Sequence, residues 1–250
     1  MSSFLLTRPI SEIELTHNIW AWEQLCYFCM ARGAELARWL EGVDPKAAKA
    51  LIRRVHLVAL PPETTLYAQG DRVRGIYIVL EGIVKEAAFV EDCLRFIRLS
   101  GPGDLLGIGE LFSDPVQTMS AVALRQTRLA YIEHSALQKI FPEHPDILLW
   151  LMRKLSTRLW GLRTALVETV YVESTTRLTQ KLLEVAERFG ECTPQGVVID
   201  LKLSREEWAA LVGIAPETVS RVLHDLERRG WVALEGRRIW LLVDLAHRVA

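Results

Sequence analysis

Glu217, Ser220 and Arg221 fall at spacings of three and one in the run PETVSRVLHDLERRG, so a helix through them puts all three heads on one face within a single turn. Those residue types have a shared use. A guanidinium can donate two parallel hydrogen bonds to a guanine edge, a carboxylate can accept from a cytosine amino group, and a small hydroxyl can contact either. A charged helix face is also what an ordinary solvated surface looks like, and arginine near a helix end often only compensates the dipole. The elements that would position the three residues therefore decide the matter.

Those elements are legible in residues 203–242, LSREEWAALVGIAPETVSRVLHDLERRGWVALEGRRIWLL. Ser204 and Glu207 have the spacing of a capping box, which starts a first helix at Arg205. Trp208, Leu211 and Val212 give it a buried side, and Gly213 stops it in a tight turn. Pro216 suits the first turn of a second helix, where its missing N–H costs nothing. Val219, Val222, Leu223 and Leu226 are that helix's buried face, leaving Glu217, Ser220, Arg221, His224 and Arg228 outside, and Gly230 ends it. Two short apolar strands around Glu235–Gly236 follow, with Arg237 and Arg238 just past the tip. A helix, turn, helix and basic wing together predict a DNA-reading module, with Glu217, Ser220 and Arg221 at base edges and Ser204, Thr218, Arg237 and Arg238 on the phosphate backbone.

Upstream, Ile147, Leu148, Leu151, Leu155, Leu159, Leu162, Leu166 and Val170 recur mostly every three or four residues across 145–171. A helix of that length runs roughly 35–40 Å. Its apolar stripe predicts pairing with a second copy across a two-fold axis, with Leu148, Leu151, Leu155, Leu159, Leu162 and Leu166 at the dimer interface. The competing reading is a helix lying along a barrel in a monomer. Residues 175–189 form another amphipathic helix, with Leu178, Leu182, Leu183, Val185, Ala186 and Phe189 inward. A loop, Glu191 to Gly196, and a strand, Val197 to Leu203, are expected after it.

Between Leu60 and Glu133 the pattern is of short strands: Thr65–Tyr67, Gly75–Leu80, Ile83–Phe89, Leu94–Ser100, Ser120–Leu124 and Arg128–Glu133, broken at glycine and proline corners. This predicts an antiparallel barrel or jelly roll. Residues 12–58 read as helical, with Ala47, Ala50, Leu51, Val55 and Val58 at helical spacing. The expected class is α+β, in four parts: a helical extension (1–58), a β-roll sensor (59–144), a dimerisation helix (145–171) and a winged helix-turn-helix (172–250).

Bulk properties fit a globular chain of 250 residues, 50% apolar and 24% charged. The formal net charge of −1 gives no global sign of nucleic-acid binding, so the basic surface must be local. No segment approaches twenty unbroken apolar residues and the start lacks the features of a secretion signal, which predicts a cytoplasmic address. His56 and His134 are isolated, which argues against a cupin-like metalloenzyme; no catalytic residue is expected.

The order of parts resembles the cyclic AMP receptor and fumarate-nitrate regulator superfamily of bacterial transcription factors. In the barrel the likeness rests on LPPETTLYAQGD, GIYIVLEGIVK, LSGPGDLLGIGELF and SAVAL; in the DNA module it rests on LSREEWAALVGIAPETVSRVLHDLERRGWV. The resemblance implies a double-stranded β-roll and RNA polymerase as downstream partner. Glu217, Ser220 and Arg221 resemble the base-reading set of the oxygen- and nitrogen-oxide-responsive branch, which implies TTGAT-like half-sites. Gly109, Glu110 and Leu111 match the nucleotide-pocket motif, but Gln117 and Thr118 stand where an arginine would meet the cyclic phosphate. Burying a phosphodiester without a cation is expensive, which argues against cyclic AMP and cyclic GMP. The stretch GDLLGIGE also lacks the cysteine and histidine of the carbon-monoxide-sensing haem members.

Cys26 and Cys29 form a C-x2-C pair that could face one metal, with Cys93 from a barrel hairpin as a third thiol and His17 or an acidic group as a fourth ligand. The iron-sulfur members of the superfamily cluster cysteines in this way, although they have three N-terminal cysteines and one near the last barrel strand, where this chain has Ala130. An iron-sulfur cluster, a reversible thiol switch, haem or another small ligand, and plain thiols packed beside Trp20, Trp22, Tyr27 and Phe28 in an effector-free regulator all stay open. Cys192, in an expected surface loop, is no ligand.

Overall fold

The computed structural model describes residues 42–91, 93–112 and 116–242, so Cys26, Cys29 and His17 lie outside the described residues. The chain divides into two compact units, one running to Glu86 and from Leu99 to Trp160, the other comprising Ala87–Arg98 and the residues from Gly161 onward.

Among the described residues the first unit begins with α1 (Pro45–Ile52), started by Asp44, whose carboxylate accepts from the Lys46 and Ala47 N–H groups at 2.8 and 3.3 Å. The helical period does not continue to Val58 as expected. After a turn at Arg53 and Arg54 the chain becomes strand β1 (Val55–Leu60), because Val55 and Val58 are β-branched residues suited to a pleated surface and a partner strand is available. That partner is β8 (Thr127–Glu133), paired antiparallel from Val55 opposite Ile132 to Leu60 opposite Thr127.

The remaining roll strands are β2 (Thr65–Tyr67), β3 (Gly75–Glu81), β4 (Val84–Val90), β5 (Cys93–Ser100), β6 (Leu105–Leu106) and β7 (Ser120–Ala123). Two four-stranded sheets result, in the orders β1-β8-β3-β6 and β2-β7-β4-β5, which is the jelly-roll arrangement expected. Gly82, between β3 and β4, has φ +89° and a Cβ there would meet the Gln126 carbonyl oxygen at 2.5 Å, so this corner needs glycine. One apolar cluster, including Leu60, Val79, Val84, Ala121, Ala123 and Leu129, fills the space between the sheets. The sequence pattern gives no sign of the two-residue β6 or of the short helices α2 (Ile108–Leu111) and α3 (His134–Ile140); they are too short to develop a period.

Helix α4 (Pro145–Tyr171) has 27 residues and matches the predicted span. Its first turns belong to the roll: Ile147, Trp150 and Leu151 are buried in a cluster with Ile76, Ile78, Ile132, Leu137 and Ile140.

The second unit contains α5 (Ser174–Phe189), β9 (Glu191–Thr193), β10 (Gly196–Ile199), α6 (Arg205–Val212), α7 (Pro216–Arg228), β11 (Val232–Glu235) and β12 (Arg238–Leu242). Its sheet runs β11-β12-β10-β9, all antiparallel. The expected loop at 191–196 is a hairpin instead, and the expected strand stops at Ile199, before Lys202 adopts φ +54°. No helix among the described residues is long and apolar enough to cross a membrane.

Candidate nucleic-acid interface

The capping box forms as the sequence predicts. Ser204 Oγ accepts from the Glu207 N–H at 3.1 Å, and the Ser204 N–H donates to Glu207 Oε2 at 2.7 Å. Gly213 closes α6 at φ +73°. Pro216 is in the first turn of α7, and Val219, Val222, Leu223 and Leu226 are buried beneath it together with Trp208. This packing fixes the roll of α7 about its own axis, and Glu217, Ser220, Arg221, His224 and Arg228 emerge exposed. Among the described residues no hydrogen bond or ion pair engages the heads of Glu217, Ser220 or Arg221. His224 and Arg228 are occupied, Nδ1 of the first lying 3.5 Å from Glu227 Oε2 and the second pairing with Asp225. The α7 face therefore presents an acceptor, a hydroxyl and a bidentate donor on a rigid support.

The wing is a two-residue hairpin, with Glu235 paired to Arg238 across Gly236 and Arg237. Its two arginines differ. Arg238 Nε donates to Asp200 Oδ2 at 2.9 Å and its Nη1 stands 3.8 Å from Glu235, so its charge is largely answered within the chain. Arg237 donates one bond to the Lys202 carbonyl at 3.2 Å and is exposed at the tip. Ser204 and Thr218 are half-buried, and the Ser204 oxygen is committed as a cap acceptor. The sequence did not single out Glu227, which accepts from the Leu234 N–H at 3.2 Å and so ties α7 to the wing; a pairing across a turn leaves no short-range sequence signal. Burial holds the Arg205 guanidinium below its ordinary pKa, and the nearby Glu227 opposes that shift. Arg177 of α5 donates to the Gly213 carbonyl at 3.4 Å, fastening the turn between α6 and α7.

On α4 the expected interface residues separate into two groups. Leu151 is 0% exposed within its own chain and Leu155 packs on the same roll cluster. Leu151 is therefore not available to a second copy, because the first turns of the helix serve the roll core. Leu148 is half-buried. Leu159, Leu162 and Leu166 are exposed, as are Trp160, Val167 and Val170.

In the roll, Gly109 and Glu110 lie within α2, and the left-handed residue that starts this helix is Gly107. Thr118 donates to Glu110. Gln117 is buried, its backbone bonded to Gly70 and Asp71. No cation stands at either position. The sequence reading also missed Glu86, which is 2% exposed and accepts from Tyr67 Oη at 3.3 Å and from buried Ser100 Oγ at 3.0 Å. Alternation along β4 was the available signal, since Glu86 shares its inward side with Val84. Burial first, then Glu86 and Glu110, push the Tyr67 hydroxyl well above its usual pKa, against an opposing effect from Arg158.

Cys93 and Cys192 are exposed free thiols, the latter on β9. Among the described residues no group of three or more His, Cys, Asp or Glu side chains could hold a metal ion. His56 packs beside Tyr131, with ring centroids 6.2 Å apart.

Residues 57–144 match the family model of the cyclic nucleotide-binding domain, and residues 176–247 match that of the Crp-like helix-turn-helix domain. The chain is 30% identical over 211 residues to a CRP-like cAMP-activated global transcriptional regulator of Mycobacterium tuberculosis, covering 84% of this chain and 93% of the relative. Among solved structures, the c-di-GMP-responsive global regulator CLP of Xanthomonas campestris superposes with a TM-score of 0.67 at 25% identity, over 80% of this chain and 99% of that one. A CRP-family transcriptional regulator from Thermus thermophilus gives 0.64 at 26% identity, over 76% and 93%.

Proposed function

Because the chain belongs to the CRP/FNR family of DNA-binding transcription regulators, and is thus no enzyme, we propose that it acts as a homodimer that reads an inverted-repeat promoter site with α7. The observation that carries this reading is the exposure of Glu217, Ser220 and Arg221 on one face of a helix whose opposite face is buried. Each recognition helix enters one major groove, and the two half-sites lie roughly one helical turn apart. Arg221 reads guanine, Glu217 reads the cytosine amino group and Ser220 makes the small polar contact, which favours TTGAT-like half-sites. Arg237 supplies phosphate contact from the wing, with Ser204 and Thr218 at the helix starts. Arg238 contributes there less, because Asp200 answers its charge.

The second copy is held by the outer half of α4, through Leu159, Leu162 and Leu166. RNA polymerase is the partner through which a bound dimer would act on transcription. This reading keeps four parts, with the roll taken to begin at Val55.

The signal enters through the N-terminal residues and the roll. Support for a redox or gas signal comes from the C-x2-C pair Cys26 and Cys29 together with the exposed thiol of Cys93. Cys93 alone makes no metal set among the described residues, so the iron-sulfur reading rests on the N-terminal pair. Cyclic AMP is disfavoured by Gln117 and Thr118, which put no cation where the cyclic phosphate would lie.

The deciding experiment is fluorescence anisotropy of the purified protein on a labelled TTGAT inverted repeat and on single-base variants of it. Wild type should discriminate at the guanine position, and Arg221→Ala should lose that discrimination while remaining a dimer. Unchanged discrimination in the variant sinks the assignment of α7.

A further inference from the structure

The wing carries negative charge that a phosphate-binding hairpin does not need, and the sheet decides where that charge falls. Strands β10 and β12 pair with Ile199 opposite Ile239, and β11 and β12 pair with Glu235 opposite Arg238. Continuing the first register by one residue brings Asp200 opposite Arg238, so this arginine has a carboxylate on each flank. The two carboxylates are not equivalent. Asp200 Oδ2 accepts from Arg238 Nε at 2.9 Å and its side chain is 24% exposed, whereas Glu235 stands 3.8 Å from Nη1 and is 68% exposed. Solvent screens exposed ion pairs, so the shorter and better shielded contact with Asp200 does most of the holding. Arg237, the neighbouring cation, donates instead to the neutral Lys202 carbonyl at 3.2 Å.

Asp200, Lys202, Glu235, Gly236, Arg237 and Arg238 line one groove at this end of the sheet, so a phosphate that reaches Arg238 there also meets Asp200. An arginine on the DNA backbone adds affinity by releasing counterions, whatever the base sequence. Arg238 has two ways to approach a phosphate, and both forfeit much of that gain. If the bond to Asp200 persists, the phosphate meets a pair of nearly zero net charge. If the bond breaks, a carboxylate is left beside the phosphate, and like charges at that range repel.

We propose that Asp200 is an affinity-limiting residue: by holding Arg238 it withholds one wing cation from the DNA backbone, and so sets how tightly, and up to what salt concentration, the protein stays on DNA of any sequence. This rests on the reading of the wing as a phosphate contact. Base reading by α7 is untouched, because backbone phosphates carry no direct sequence information.

The test uses the full-length protein with the labelled inverted repeat and a scrambled duplex of the same length, titrated by fluorescence anisotropy at several salt concentrations. The variants are Asp200→Asn, which keeps the side-chain shape, Asp200→Ser, which removes the same charge with a smaller group, Arg238→Met, and Asp200→Asn combined with Arg238→Met. Thermal melting establishes that each is folded before it is titrated. Removing the carboxylate should tighten binding to both duplexes by the same factor, roughly fivefold to tenfold at ~0.1 M salt, and steepen the slope of log affinity against log salt by about one. Arg238→Met should cost less affinity than Arg237→Ala, and in the combined variant it should remove most of the gain that Asp200→Asn gives. Folded Asp200 variants that bind no tighter than wild type overturn the proposal. So does a gain of the same size in the combined variant, because Asp200 would then repel DNA directly and not act through Arg238. A gain confined to the inverted repeat also overturns it, since a phosphate effect has to appear on both duplexes. The wing reading fails separately: if Arg237→Ala leaves the salt slope unchanged while Asp200→Asn still tightens binding through Arg238, the Arg237 contact is refuted and the limit set by Asp200 stands.

Discussion

Arg221 and Arg237 carry the same charge, yet their surroundings differ, and the proposed reading gives them different work. Arg221 rises from a helix pinned by four buried side chains, so its fork has a defined direction and can discriminate. Arg237 is at the exposed tip of a hairpin, where only its charge is well placed. Arg221→Ala should therefore cost about 1–3 kcal/mol at one base pair and little elsewhere. Arg237→Ala should weaken binding to all sequences alike and lower the slope of log affinity against log salt by about one. Titrating both variants against cognate and scrambled DNA at several salt concentrations checks the contrast. Residues of this kind were legible because their neighbours announce a helix start, a buried face and a turn. Glu86 was less so: its β4 pattern reads as a strand, and nothing local reports that its partners come from β2 and β5. The Asp200 that occupies Arg238 was hidden for the same reason, being 38 residues away in the chain.

At the scale of elements, the helix-turn-helix was legible almost to the residue because each boundary has its own chemistry: Ser204 and Glu207 at one start, Gly213 at a stop, Pro216 at the next start. Removing such a signal should be measurable. Ser204→Ala deletes the oxygen that accepts from Glu207 N–H and should lower stability by about 0.5–2 kcal/mol, read by urea denaturation followed through the DNA-binding unit's signal. Leu223 is fully buried beneath α7, so Leu223→Ala should cost more, about 2–5 kcal/mol. The misreading of Val55–Val58 as helix has the opposite origin. Its apolar residues satisfy a helical spacing, but pairing with β8 outweighs that pattern, and Val58 meets Leu129, far along the chain, only through the fold. Short elements such as β6 and α2 escape sequence reading because one turn or two residues carry no period.

At the scale of the molecule, the apolar stripe of α4 was one pattern in the sequence and two environments in the structure. Its first part, through Leu151, completes the core of the roll; its later part leaves Leu159, Leu162, Leu166 and Val170 between 48% and 69% exposed. A sequence stripe reports that a side is apolar and not which body covers it, which is why Leu151 was assigned to the wrong contact. The distinction gives a prediction that separates folding from assembly. Leu166→Glu places like charges face to face across a two-fold axis, while its own chain makes no core use of that position. It should yield a folded monomer by light scattering, with an unchanged far-ultraviolet spectrum and a large loss of affinity for the inverted repeat, because two recognition helices no longer bind as one unit. Leu151→Glu should instead prevent the roll from folding, since a carboxylate would replace a fully buried side chain. If Leu166→Glu remained a dimer with full affinity, the second copy would have to be held elsewhere, and the spacing of the recognition helices could not be set by the outer half of α4.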